Sequence, residues 1–146
     1  MGAQERSHAF LPHTADAGLV AHAATLAELF EEGALALAEL AADTAGAAGA
    51  PVVVGPLAAD DLAGLAFAWL NELIGIAESE GRALVRAQVE RVEGTADGWT
   101  IAGSAFLAPY DAPGVRARRQ VKAVSFHRLG VEEGPDGYAL TAYVDV

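Results

Sequence analysis

The 146 residues contain no cysteine, one methionine and only nine basic side chains. Without a thiol there is no disulfide, no thiolate zinc site and no cysteine nucleophile, and the composition fits a reducing compartment. Basic charge is scarce against twenty Asp and Glu, and the formal net charge of −11 repels a phosphate backbone rather than attracting it. Direct nucleic-acid binding is therefore not expected; cations or a protein partner suit this charge better. Long hydrophobic runs are missing as well. The longest, Leu62 to Ala77, is interrupted by Asn71 and Glu72 and falls short of the roughly 20 apolar residues that span a bilayer. The opening Met1-Gly2-Ala3-Gln4-Glu5-Arg6 lacks the basic-then-apolar order of a signal peptide. The expectation is a cytoplasmic protein with no membrane role. Internal repeats, G-x-G-x-x-G, a phosphate loop, H-E-x-x-H and G-x-S-x-G are all absent.

What the chain does have is a dense polar turn near its start. Pro12-His13-Thr14-Ala15-Asp16-Ala17-Gly18 places imidazole, hydroxyl and carboxylate just ahead of a glycine. Asp and Thr bond nearby amides in turns and glycine tolerates positive φ, so the segment reads first as a turn. A carboxylate held there is also an oxygen ligand for a hard cation.

Periodicity divides the rest into a helical half and a strand-rich half. His8 to Pro12 and Gly18 to His22 read as strands flanking the turn. Thr25-Leu26-Ala27-Glu28 has capping-box spacing, and Leu26, Leu29, Phe30, Ala34, Leu37 and Leu40 follow at helical intervals. Glu28, Glu31, Glu32 and Glu39 fall largely off that stripe and read as a solvated face. Ala41 to Ala50 reads as a loop, and Pro51 to Pro56 as an edge strand fenced by prolines. Asp60 and Asp61 are N-cap candidates for a second helix carrying Leu62, Leu65, Ala66, Trp69, Leu70, Leu73 and Ile74, with Trp69 as core and Asn71 and Glu72 off the stripe. Val85, Ala87 and Val89 then alternate with polar residues, and Val92 breaks the parity, which predicts a bulge. Asp97-Gly98 marks a hairpin turn into Trp99 and beyond. Ala108 to Gly114 is a loop. Arg116, Arg118, Arg119 and Lys122 concentrate basic charge, either as a guarded strand edge or as an anion or partner contact. Val121 to Val131 and Tyr138 to Val146 are the last strands, joined by Gly134-Pro135-Asp136-Gly137. The prediction is one α+β domain over residues 1–146, with a mostly antiparallel or mixed sheet and two amphipathic helices packed on one face.

Five of these pieces, in order, resemble the archease family: His13-Thr14-Ala15-Asp16 with Gly18; Thr25 to Glu32; Trp69-Leu70-Asn71-Glu72-Leu73; Val121-Lys122-Ala123-Val124-Ser125-Phe126-His127; and Val144-Asp145-Val146. The resemblance implies a protein that is not itself an enzyme. It would be a cofactor of the RNA ligase that joins 2′,3′-cyclic-phosphate or 3′-phosphate ends to 5′-hydroxyl ends in tRNA splicing and RNA repair, promoting guanylylation of the ligase and multiple turnover. It further implies a divalent cation, Ca²⁺ first with Mg²⁺ or Mn²⁺ as alternatives, held by Asp16, Asp145 and Val146. Lys122 is the implied contact to partner or nucleotide, with His13 and Thr14 supporting the turn. Such a site requires the opening turn and the last strand to meet. The chain departs from the family pattern at Gly103-Ser104 and at Arg116 to Gln120, where docking to the partner could differ. Ala17 and Ser125-Phe126 are milder departures.

Two other functions fit the same residues. One is a metal-dependent hydrolase using Asp16 and Asp145 with His13 or His127 as general base; no nucleophile motif or phosphate loop supports it. The other is a generic interaction or chaperone module in which the carboxylates are structural.

Overall fold

The structure is a computed structural model and describes residues 4–11 and 16–146, with Asp16 described in its backbone only. The chain runs β1 (Ser7–Leu11), β2 (Asp16–Ala23), α1 (Leu26–Ala41), β3 (Ala42–Asp43), β4 (Ala50–Ala59), α2 (Leu62–Glu80), β5 (Ala83–Thr95), β6 (Gly98–Ala108), β7 (Arg116–Ala117), β8 (Ala123–Gly134) and β9 (Gly137–Asp145). Every described strand pairing is antiparallel. A four-stranded sheet of order β1-β2-β9-β8 is made from the two ends of the chain, and a three-stranded sheet of order β4-β6-β5 from its middle. The short pair β3-β7 ties the end of α1 to the segment before β8. The predicted α+β class with two helices holds; the strands divide between two sheets, and each helix packs against both of them.

That double contact accounts for the helix sequences. In α1 the Thr25 hydroxyl accepts the amide of Glu28 at 3.2 Å, which supplies one of the orphan donors of the first turn. The box is only half made. The Glu28 carboxylate accepts a hydrogen bond from the Thr25 hydroxyl at 3.1 Å instead of reaching back to the Thr25 amide. In α2 it is Asp61, of the two candidates, that caps, accepting from the Gly64 amide at 2.7 Å. Gly81 ends the helix in the left-handed region at φ +64°, where an L side chain would be strained. Leu65, Ala66, Trp69, Leu70 and Leu73 of α2 meet Leu29, Phe30, Ala34 and Leu37 of α1 in one core, closed on the sheet sides by Leu19, Leu140, Val144, Ile101 and Leu107. Trp69 is wholly buried, and its indole N–H donates to the Phe30 carbonyl at 3.0 Å.

Several expectations are corrected here. The acidic side of α1 is not a solvated face: Glu32 is the one buried charged residue among the described residues, because β1 crosses over it. Part of the 41–50 loop is strand, since Ala42 and Asp43 pair with Ala117 and Arg116. The run at 51–56 extends to Ala50–Ala59 and is an edge strand, as its prolines require. The parity break at Val92 coincides with a register shift between Val89 and Arg91. Within the basic run, Arg118 donates to the Glu39 carbonyl at 2.8 Å, and the amides of Arg118 and Arg119 donate to the Ala41 carbonyl. α1 has no basic residue in its own last turn, so Arg118 brings the positive charge that its carbonyl end favours.

Candidate functional site

The central strand β9 brings the two ends of the chain together. In the β2–β9 ladder Asp16 stands opposite Asp145, and in the β8–β9 ladder Ala123 stands opposite the same Asp145. The Lys122 amide donates to the Asp145 carbonyl at 2.8 Å. Three strand ends therefore converge at one end of the sheet, with positions 16, 122 and 145 as neighbours and the exposed Val146 following directly. His13, Thr14 and the carboxylate of Asp16 lie outside the described residues. Among the described residues no group of three or more His, Cys, Asp or Glu side chains that could hold a metal ion forms, at this end of the sheet or elsewhere.

Gly18 owes its identity to space rather than to a turn conformation. Its φ is not positive, and a β-carbon there would come within 2.8 Å of the Tyr143 ring and 2.9 Å of the Leu11 β-carbon. The aromatic ring thus lies across β2 two residues from Asp16.

Asn71 is the residue whose role the spacing did not reveal. Its side-chain carbonyl accepts the Val124 amide at 2.9 Å and its side-chain amide donates to the Val124 carbonyl at 3.2 Å, with a further 3.0 Å bond to Phe67 in its own helix. This clamp satisfies both backbone groups of a nearly buried strand residue and locks β8 onto α2 two residues beyond Lys122. The available signal is a single amide, beside Glu72, interrupting the long apolar run of α2.

The opposite edge strand is fastened differently. Arg6 reaches Glu31 at 3.2 Å and Glu32 at 3.1 Å, while His8 Nδ1 faces Glu32 and His8 Nε2 lies 2.7 Å from Glu39. Glu31 also accepts the Val89 amide at 2.8 Å, bridging to the second sheet. Burial of His8 alone would lower its pKa, but its hydrogen bonds to the carboxylates of Glu32 and Glu39 and their charges outweigh it and hold the imidazole above its ordinary value.

The archease protein family model matches residues 8–146. The chain belongs to the archease family. Among curated relatives, Protein archease of Methanosarcina acetivorans is 29% identical over 146 residues, covering all of both chains. Protein archease of Archaeoglobus fulgidus is 31% identical over 137 residues, 94% of this chain and 97% of that one. The solution structure of Methanobacterium thermoautotrophicum protein 1598 superposes with a TM-score of 0.79 at 28% identity, covering 95% of this chain and 98% of that one. The archease match takes in both ends of the four-stranded sheet. No helix of the described residues is long and apolar enough to cross a membrane.

Proposed function

We propose that the chain is a non-catalytic, cytoplasmic protein cofactor of an RNA ligase that joins 2′,3′-cyclic-phosphate or 3′-phosphate ends to 5′-hydroxyl ends, acting by promoting guanylylation and multiple turnover of that ligase. Membership of the archease family supports this reading. The observation that carries it is the meeting of positions 16, 122 and 145 at one end of a sheet built from both ends of the chain.

The donor set suits a hard divalent cation, Ca²⁺ before Mg²⁺ or Mn²⁺: carboxylates from Asp16 and Asp145 with an oxygen of Val146. The Asp145 carbonyl already accepts from Lys122, which favours Val146 over Asp145 as the main-chain oxygen donor. When bound, the cation would offset the mutual repulsion of the carboxylates and tie the opening turn to the last strand. Lys122, tethered through its amide, would present its ammonium beside that site to the partner or to nucleotide phosphate. Asn71 fixes the path of β8 and so the position from which Lys122 extends. Nothing in this arrangement requires the chain to perform chemistry of its own.

The test adds the purified chain to its host's RNA ligase with GTP and metal and measures ligase guanylylation and turnover. Stimulation by the wild type that is lost in Asp145→Ala and Lys122→Ala is expected; unchanged rate and turnover with the wild type would defeat the reading. The metal is tested separately by thermal melting. A cation at about 100 times its Kd stabilises the folded state by about 2.7 kcal/mol, and the shift should vanish in Asp16→Ala and Asp145→Ala.

A further inference from the structure

Five of the nine basic residues of this acidic chain, Arg116, Arg118, Arg119, Lys122 and Arg128, lie between positions 116 and 128. Arg128 lies within an irregularity in β8, and the other four precede it in sequence. Ser125 stands opposite Tyr143 and Gly130 opposite Thr141, so the four residues Phe126 to Leu129 face the single Ala142. An ordinary bulge inserts one residue; this one pushes out a small knob at the sheet edge.

The knob is built rather than frayed. The His127 amide donates to the Ser125 hydroxyl at 3.1 Å. The Phe126 ring rests against Phe67 of α2 with centroids 5.2 Å apart, and the Arg128 guanidinium lies 5.7 Å over the Tyr143 ring. Leu129 packs against the core, and Asn71 clamps the strand immediately before. Arg128 takes φ +61°, the one positive value at a non-glycine among the described residues, a conformation that an arginine adopts only when its surroundings impose it. All this structure holds an aromatic ring that stays 57% exposed, with Arg128 and His127 exposed beside it. Single exposed apolar residues are unremarkable; Val53, 78% exposed on the other sheet, is one. Phe126 differs in having a strained, hydrogen-bonded frame around it.

We propose that the Phe126–Leu129 bulge is a docking knob for a protein partner whose matching surface is an apolar socket rimmed by carboxylates. Phe126 fills the socket, and Arg128 meets the rim. An aromatic anchor flanked by arginine is the composition that dominates binding energy at protein interfaces. RNA fits less well: the chain as a whole is strongly acidic, and a single-stranded site needs successive stacking platforms along a basic groove. Taking the RNA ligase as the partner rests on the function proposed above.

The experiment measures binding of the purified chain to immobilised ligase at low and physiological salt, for the wild type, Phe126→Ala, Arg128→Glu, Arg128→Gly and Val53→Ala. Phe126→Ala should raise Kd by about tenfold or more, as truncation of a central aromatic anchor does. Arg128→Glu should weaken binding and remove much of its salt dependence, and Val53→Ala should leave Kd unchanged. Arg128→Gly relieves the backbone while deleting the charge, so it should still bind less tightly than the wild type. Melting temperatures within a few degrees of the wild type establish that the fold is kept. A wild type that binds while Phe126→Ala and Arg128→Glu bind equally tightly overturns the knob and leaves the cofactor reading standing. A wild type that neither binds nor stimulates the ligase overturns both. RNA retained by the wild type at physiological salt and released by Arg128→Glu overturns the protein partner in favour of nucleic acid.

Discussion

The two edge strands of the four-stranded sheet are held to the helices by opposite chemistry. β1 is fastened to α1 by charge, through Arg6 and His8 on one side and Glu31, Glu32 and Glu39 on the other. β8 is fastened to α2 by a neutral amide clamp and an aromatic contact. The charged seam answers to pH and salt, whereas the neutral one does not titrate. It is the neutral seam that adjoins Lys122 and the bulge, so the presentation of the proposed partner face is insulated from solution conditions that loosen the other edge.

The sharpest way to break that contrast is to unclamp β8. Asn71→Ala strands the amide and carbonyl of Val124, which is 2% exposed, and leaving such groups unpaired should cost about 2–3 kcal/mol. Thermal melting reads the loss, and hydrogen exchange at the Val124 amide should accelerate well before that of Leu19. Next, Glu32→Ala removes the carboxylate shared by Arg6 and His8 and should cost about 2 kcal/mol, below the range for fully buried pairs because Arg6 is partly exposed. The third effect is a pH dependence. His8 binds its proton more tightly folded than unfolded, so the stability it contributes is complete below its unfolded pKa of about 6.5 and is lost as pH rises through the folded pKa. The stability gap between wild type and His8→Gln should therefore be widest in mild acid and close as the solution becomes alkaline. A gap that is constant with pH would show that the histidine is not the titrating element of the seam. Smallest is salt. At ~1 M ionic strength the Debye length falls to about 3 Å, and the exposed Arg6 pairs should lose less than about 1 kcal/mol, read as a small melting shift that disappears in Arg6→Gln.

Legibility in the sequence follows the same division. α2 is readable because its apolar spacing and its Asp60-Asp61 cap candidates are local signals. The bulge near Val92 was readable because parity within one strand is local too. The acidic side of α1 was misread because helical periodicity reports which residues leave the main stripe and not what arrives to cover them; β1 arrives from a separate segment. Asn71 was open for the same reason, since an amide off the stripe looks alike whether it meets water or the backbone of residue 124. The joining of Asp16 to Asp145 was likewise invisible to spacing, and the expectation that they meet came from resemblance to a family. Gly18 is subtler: the glycine was noticed, but its cause is the Tyr143 ring, 125 positions further along the chain.

The strand order β1-β2-β9-β8 also constrains when the molecule becomes competent. The first hairpin emerges early in synthesis, but its open side along β2 is covered only by β9, the last of the described strands. Pairings of such long sequence separation are slow to form and leave strand edges exposed meanwhile. Meanwhile the middle sheet and both helices can assemble from segments much nearer in sequence. The end of the sheet where positions 16 and 145 meet is thus a late event in folding, and a nascent chain cannot display it. A fold organised this way completes the proposed partner surface only once synthesis has run through β9.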